Sequence, residues 1–116
     1  MKTFIENIDH VSKPIIFMIG KNAKENSELI NDSLLNDLWF HLANFPSAHL
    51  IAQINNIELS DEELEYVITR GACLLKSCSK QKNINKLEIN YTYIRNVELT
   101  IPIGSVNITN FKIKVI

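Results

Sequence analysis

The sequence predicts an α+β fold: a mainly antiparallel sheet with one long helix packed on a face and one short helix, in the order β-α-β-β-α-β-β-β. Three observations predict it. Leu64, Val67, Ile68, Gly71, Ala72, Leu75 and Cys78 form one apolar stripe at i, i+3, i+4 spacing, the mark of a long amphipathic helix. Leu87, Ile89, Tyr91 and Tyr93 alternate with Glu88, Asn90 and Thr92, the period of a half-buried strand. Leu38–Leu42 and His49–Ile54 flank a short turn containing Pro46, which suits a hairpin.

Met1–Lys13 alternates weakly and reads as an edge strand or an ordered tail. Ile15–Ile19 is a continuous apolar run, expected to be a strand buried on both faces. Gly20 ends it. Asn22 is a good helix N-cap with Glu25 three residues on, so a short polar helix runs from Ala23 to about Asn31. Asn55-Asn56 turns the chain after the hairpin. Ser60-Asp61-Glu62-Glu63 is a capping box with acids in the first turn, and the long helix should run from Asp61 to about Ser79. Gly71 in mid-stripe costs about 1 kcal/mol against alanine, which suggests close approach of helix to sheet. Val97–Ile101 is a short strand cut by Pro102. Ser105–Thr109 and Phe111–Ile116 read as a closing hairpin turning at Asn110, with Phe111, Ile113 and Val115 facing in and Lys112 and Lys114 facing out.

At 116 residues the chain is expected to be one domain, residues 1–116. It can bury about 65% of its unfolded surface, enough for one core. The formal net charge of −1 argues against a strong non-specific polyanion binder. The charges are unevenly spread, however. Glu58, Asp61, Glu62, Glu63 and Glu65 crowd one segment, Lys76, Lys80, Lys82 and Lys86 the next, and Lys13, Lys21 and Lys24 another. Acids at a helix start and lysines at its end also complement the macrodipole. The longest apolar run, Ile15–Ile19, is too short to span a bilayer. The N-terminus lacks a signal-peptide h-region, so a cytoplasmic location is expected. Cys73 and Cys78 are expected to be reduced: five apart on a helix, they lie beyond disulfide reach. The preference for lysine over arginine, with abundant Ile and Asn, suits an A/T-rich genome such as that of a protist or a large virus.

The densest chemistry lies in Asp37-Leu38-Trp39-Phe40-His41, with His49 eight residues on. On a strand, Asp37, Trp39 and His41 would share one face, and Leu38, Phe40 and Leu42 the other. A hairpin would bring His41 to His49. Two readings of this face stand side by side. Trp39 and His41 can stack on unpaired bases, worth about 1–3 kcal/mol per base. Equally, Trp39 can be a core residue, an Asp37–His41 pair can be structural, and His49 can fix its turn. A metal triad of Asp37, His41 and His49 is a further alternative. No serine or cysteine sits in a nucleophile pattern. Lys21, Asn22, Lys24 and Asn26 surround a helix start, where free N–H groups attract anions.

Gly20-Lys21-Asn22-Ala23-Lys24-Glu25-Asn26, then Asp37–His41, then Phe45-Pro46-Ser47-Ala48-His49-Leu50, in that order, resemble the NFACT-R domain, the RNA-binding module of ribosome-associated quality-control proteins. Asn90–Val97 and Gly104–Val115 also follow the family pattern, so the resemblance covers roughly Ile15–Ile116. It implies a non-catalytic RNA-binding module acting on tRNA or rRNA, with no cofactor and no metal. Lys21, Asn22, Lys24 and Asn26 would hold phosphates. Asp37, Trp39, His41 and His49 would form a stacking and hydrogen-bonding centre, and Lys76, Lys80 and Lys82 would extend the footprint. Ser47-Ala48-His49 is similar to small eukaryotic members of the family, for which a DNA-binding role stays open. Ribosome-associated proteins are further candidate partners. The rival readings are a protein-interaction module that kept the fold without RNA, and a small metal-dependent enzyme.

Overall fold

The computed structural model describes residues 1–116. Its strands are β1 (Lys2–Glu6), β2 (Ile15–Ile19), β3 (Leu38–Leu42), β4 (Leu50–Gln53), β5 (Glu88–Tyr93), β6 (Val97–Leu99), β7 (Val106–Ile108) and β8 (Lys112–Val115). Helix α1 is Ala23–Asp32 and helix α2 is Asp61–Ser77. Six strands form one sheet in the order β1-β2-β4-β3-β5-β8, and β6 and β7 form a separate two-stranded ribbon. Every pairing is antiparallel. The α+β class, the antiparallel sheet and the helix-covered face are therefore as the sequence predicts.

Period-two alternation divides the sheet into two faces. On the first, Ile15, Phe17, Leu38, Phe40, Leu42, Leu50, Ala52 and Ile89 pack against Val67, Ile68, Ala72 and Leu75 of α2. The capping box at Ser60 is complete: the Ser60 hydroxyl accepts from the Glu63 N–H, and the Glu63 carboxylate accepts from the Ser60 N–H. Gly71 marks the closest approach of helix and sheet. A Cβ there would lie 2.6 Å from Phe40 Cζ. The second face carries a smaller core of Trp39 and Ile51 beneath Leu29 and Ile30 of α1 and Ile94, edged by Met18, Val97, Leu99, Val106 and Ile108. Helix α1 and the β6–β7 ribbon thus cover its middle.

Five expectations are corrected. Strand β2 is not buried on both faces: Ile16 is 37% exposed, because cover on the second face reaches β2 only at Met18. Helix α2 ends at Ser77, with Cys78 as its C-cap, and β4 begins at Leu50 rather than His49. The closing hairpin does not form. Strand β7 pairs with β6, and β8 pairs with β5 at the sheet edge. The faces of β8 are also inverted. Lys114 stands opposite Ile89 and Lys112 opposite Tyr91, so both lysines lie on the α2 side, where Lys114 Nζ is 3.7 Å from Glu65. Phe111, Ile113 and Val115 are exposed instead. Alternation assigns residues to a common face, but it cannot say which face a partner covers. The Lys2–Glu6 segment is an edge strand, paired only with β2.

Candidate nucleic-acid interface

Strands β3 and β4 bring the two histidines together, as a hairpin requires. Phe40 pairs with Leu50, and the register continues to place His41 beside His49. Their ring centroids are 5.0 Å apart, edge to face. His41 stacks on Trp39 at 5.7 Å with the planes 13° apart, and His49 meets Trp39 edgewise at 5.5 Å. The Trp39 Nε1–H donates to His49 Nδ1 at 3.1 Å. A nitrogen that accepts carries no proton, so His49 is the neutral Nε2–H tautomer. Burial, with the nearby His41 second, lowers its pKa to about 4. His41 donates from Nδ1 to the Leu42 carbonyl at 2.6 Å, which leaves Nε2 as an acceptor. Burial also lowers the His41 pKa, against the opposing pull of that carbonyl.

Trp39 and Asp37 do not occupy the positions expected of them. Trp39 is only 1% exposed, because α1 and the ribbon cover its face, so the indole offers no surface to a base. Asp37 precedes β3 and points away from the histidines. Its Oδ1 accepts from the N–H groups of Ile54 and Asn55, both at 3.0 Å, and its Oδ2 from the Leu34 N–H at 2.8 Å. The carboxylate stitches the turn before β3 to the exit of β4. Neither the Asp37–His41 pair nor the Asp37–His41–His49 metal triad is assembled.

The start of α1 lies against this cluster. The Asn22 side chain accepts from the Glu25 N–H at 2.9 Å. The Glu25 carboxylate accepts from the Lys21 N–H at 2.9 Å and pairs with the N-terminal amine at 2.9 Å, contacts that hold it below the usual carboxylate range. Lys21, Asn22 and Lys24 are exposed. Asn26, by contrast, is buried, and its Oδ1 accepts from the His49 N–H at 3.2 Å. Gly20 makes room for it: a Cβ there would sit 2.2 Å from that oxygen. Asn26 is thus a strut between α1 and the histidine strand.

A recess of about 360 Å³ opens beside the histidines. Trp39, His41, His49 and Asn90 line it on the sheet side, and Gly104, Ser105, Val106 and Ile108 on the ribbon side. Asn90 stands opposite His41 on β5, and its Oδ1 is a buried oxygen with no hydrogen-bond partner. Gly104 adopts φ +86, and its Cα packs so closely on Ala23 that a Cβ would lie 2.9 Å from the Ala23 Cα. One wall of the recess therefore abuts the first residue of α1. Sequence reading missed Asn90, Gly104 and Ser105. The signal available was the polar Asn90 within an alternating aromatic strand. Lys76, Lys80 and Lys82 do not join the group. They lie at and beyond the C-terminal end of α2, on the other face, and Lys76 Nζ donates to the Ile116 carbonyl at 2.9 Å. Both cysteines are free. No helix is long and apolar enough to cross a membrane.

A partly open polar recess beside an exposed, lysine-flanked helix start is the build of a small recognition module on an α+β scaffold. The family model described as the NFACT protein RNA binding domain matches residues 3–110, and the chain belongs to that family. It is 27% identical over 85 residues to the Rqc2 homolog RqcH of Bacillus subtilis, covering 72% of this chain and 14% of that protein. It is 31% identical over 91 residues to coiled-coil domain-containing protein 25 of Danio rerio, covering 78% of this chain and 44% of that one. The chain thus spans less than half the length of either relative. The C-terminal part of the fibronectin/fibrinogen-binding protein from Streptococcus suis has the same fold, with a TM-score of 0.75 at 24% identity over 88% of this chain and 41% of that one.

Proposed function

We propose that this domain is a non-catalytic RNA-binding module that holds the backbone of tRNA or rRNA at the start of α1 and a neighbouring nucleotide at the histidine recess. The relative named for Rqc2 supports a setting in translation or ribosome quality control, in the cytoplasm. One observation carries the reading: the exposed Lys21 and Lys24 sit on the same helix start that abuts the recess wall at Gly104 and is tied to His49 through Asn26. Lysines at a helix N-terminus combine point charge with the positive end of the macrodipole, and both favour phosphate. His41 is the half-buried member of the cluster and the one placed to touch RNA. Trp39, His49, Asp37 and Asn26 act beneath it by fixing ring positions and backbone. Lys76, Lys80 and Lys82, at and beyond the end of α2, lie outside this contact.

The test is a salt titration of binding to tRNA and to single-stranded RNA. Each phosphate contact contributes about 0.7–0.9 to the slope of log K against log salt. The double variant Lys21→Ala, Lys24→Ala should weaken binding of every sequence alike and flatten the slope by about 1–2. An unaltered slope removes α1 from the interface. Binding that ignores salt altogether points to a protein partner instead.

A further inference from the structure

We propose that the recess is a reader of one unstacked nucleobase carrying an exocyclic amine, and so favours adenine, cytosine or guanine over uracil. This rests on the RNA-binding reading above and deepens it. The recess volume of about 360 Å³ lies at the lower end of the range for ligand sites, which suits a single nucleotide rather than a folded partner.

The hydrogen-bonding inventory of the lining is specific. The His41 Nδ1–H is spent on the Leu42 carbonyl, so its Nε2 offers a lone pair. The His49 Nδ1 is spent on the Trp39 indole, so its Nε2 carries a proton and donates. Asn90 Oδ1 is buried and unpartnered, and no other buried side-chain oxygen or nitrogen in the chain lacks a partner. Such an atom costs free energy until a donor reaches it. The residues that carry these two acceptors and one donor thus line one recess. An exocyclic amine has two hydrogens to give, one for each acceptor, and the adjacent ring nitrogen or carbonyl of the same base accepts from His49. Uracil has a single N–H on its Watson–Crick edge and cannot fill both acceptors. Base reading requires a rotation of the Asn90 amide about its last torsion, which is broad, to turn the buried Oδ1 toward the recess.

Burial of His49 and its bond to Trp39 keep this pattern constant. With its pKa near 4, His49 stays neutral at physiological pH. Trp39, only 1% exposed, has no freedom to release Nδ1. The buried indole therefore contributes by fixing a tautomer, a role that needs no contact with RNA.

Removing only the amine provides the test. Short single-stranded RNAs carrying adenosine or purine riboside at one position, and others carrying guanosine or inosine, are titrated against the wild-type protein and Asn90→Leu at fixed salt. The wild type should prefer the amine-bearing member of each pair by about tenfold, one good net hydrogen bond. The imidazole and Asn90 amide resonances should shift on binding. Asn90→Leu removes an unsatisfied oxygen, so it should fold at least as stably, keep the salt slope and lose the preference. Salt-dependent binding with no preference between the paired RNAs would overturn the base reader and leave phosphate binding intact, with water alone satisfying Asn90. Absence of any salt-dependent binding would overturn both readings. A preference that survives in Asn90→Leu places the reader elsewhere and also overturns the proposal.

Discussion

Removing the Asp37 carboxylate should unfold this domain far more readily than its place beside a candidate site suggests. Asp37 is 4% exposed and accepts three backbone hydrogen bonds. Hydrogen bonds to an ionised acceptor contribute about 1.5–3 kcal/mol each, with less recovered where water can replace the lost partner. Ile54 is 6% exposed, so water cannot easily take over its N–H, whereas Leu34 and Asn55 reach solvent more readily. Taking about 3 kcal/mol for Ile54 and about 0.5–1 kcal/mol for each of the others gives about 4–5 kcal/mol for Asp37→Ala. That is a large share of the 5–15 kcal/mol typical of a whole domain. Asp37→Asn should cost about half as much. Its oxygen can still serve Ile54 and Asn55, but its NH₂ then faces the Leu34 N–H, donor against donor. Urea denaturation followed by the emission of the single tryptophan, buried Trp39, measures both variants. A loss below about 1 kcal/mol for the alanine variant, or equal losses for the two, would refute the latch role. Folded Asp37→Asn protein should bind RNA as the wild type does.

Two further outcomes follow from the packing and the buried rings. Folding depresses the His49 pKa from 6.5 to about 4. Between those values the unfolded chain therefore holds the extra proton, and stability should fall as pH drops through the window and level off below it. A shift of that size is worth about 3 kcal/mol, at about 1.4 kcal/mol per pH unit, and the lowered His41 adds in the same direction. His49→Gln, which can still accept from Trp39, should remove close to one proton from this dependence in chemical denaturation at several pH values; an unchanged slope would show that His49 does not carry it. Gly71→Ala should raise local helix propensity by about 1 kcal/mol, yet its Cβ would fall 2.6 Å from Cζ of Phe40, itself fully buried. Overpacking of about 1–3 kcal/mol should win, giving a lower melting temperature, whereas a raised one would mean that α2 lifts freely from the sheet.

The features legible in the sequence were those set by local rules. The Ser60 box, the α2 stripe and the alternation of β5 each depend on neighbours within a few residues, and each stands in the structure. The Asn22 cap is equally local. The grouping of Trp39, His41 and His49 needed one long-range assumption, that β3 and β4 pair, and their intervening turn made it safe. What sequence could not reveal was what lay above that face. The cover comes from α1 and from a ribbon joining Val97–Leu99 to Val106–Ile108, and nothing in the strand itself announces either. The same gap reversed β8. Its alternation was read correctly, but its partner was taken to be β7, next in sequence, when the pairing runs back to β5. Asp37 was misplaced by a single position: with the strand beginning at Leu38, the residue before it is free to turn toward Leu34 and Ile54.

The near-zero net charge weighs less against polyanion binding once the charges have positions. Asp61, Glu62, Glu63 and Glu65 belong to α2, which lies on the first face of the sheet, while Lys21 and Lys24 begin α1 on the second. Layers packed on opposite faces stand about 10 Å to either side of a sheet, so the two groups are about 20 Å apart. The Debye length at physiological salt is about 8 Å. An approaching phosphate backbone at α1 is therefore screened from the acids of α2 and meets mainly the local balance. There, Lys21 and Lys24 stand against Glu25 and Glu28, and the Glu25 charge is already engaged by the N-terminal amine and the Lys21 N–H. A whole-chain sum averages two faces that an RNA meets one at a time. The same separation predicts the order of effects in a salt titration: lysines of α1 set the slope, and those at the end of α2, screened as the acids are, leave it unchanged.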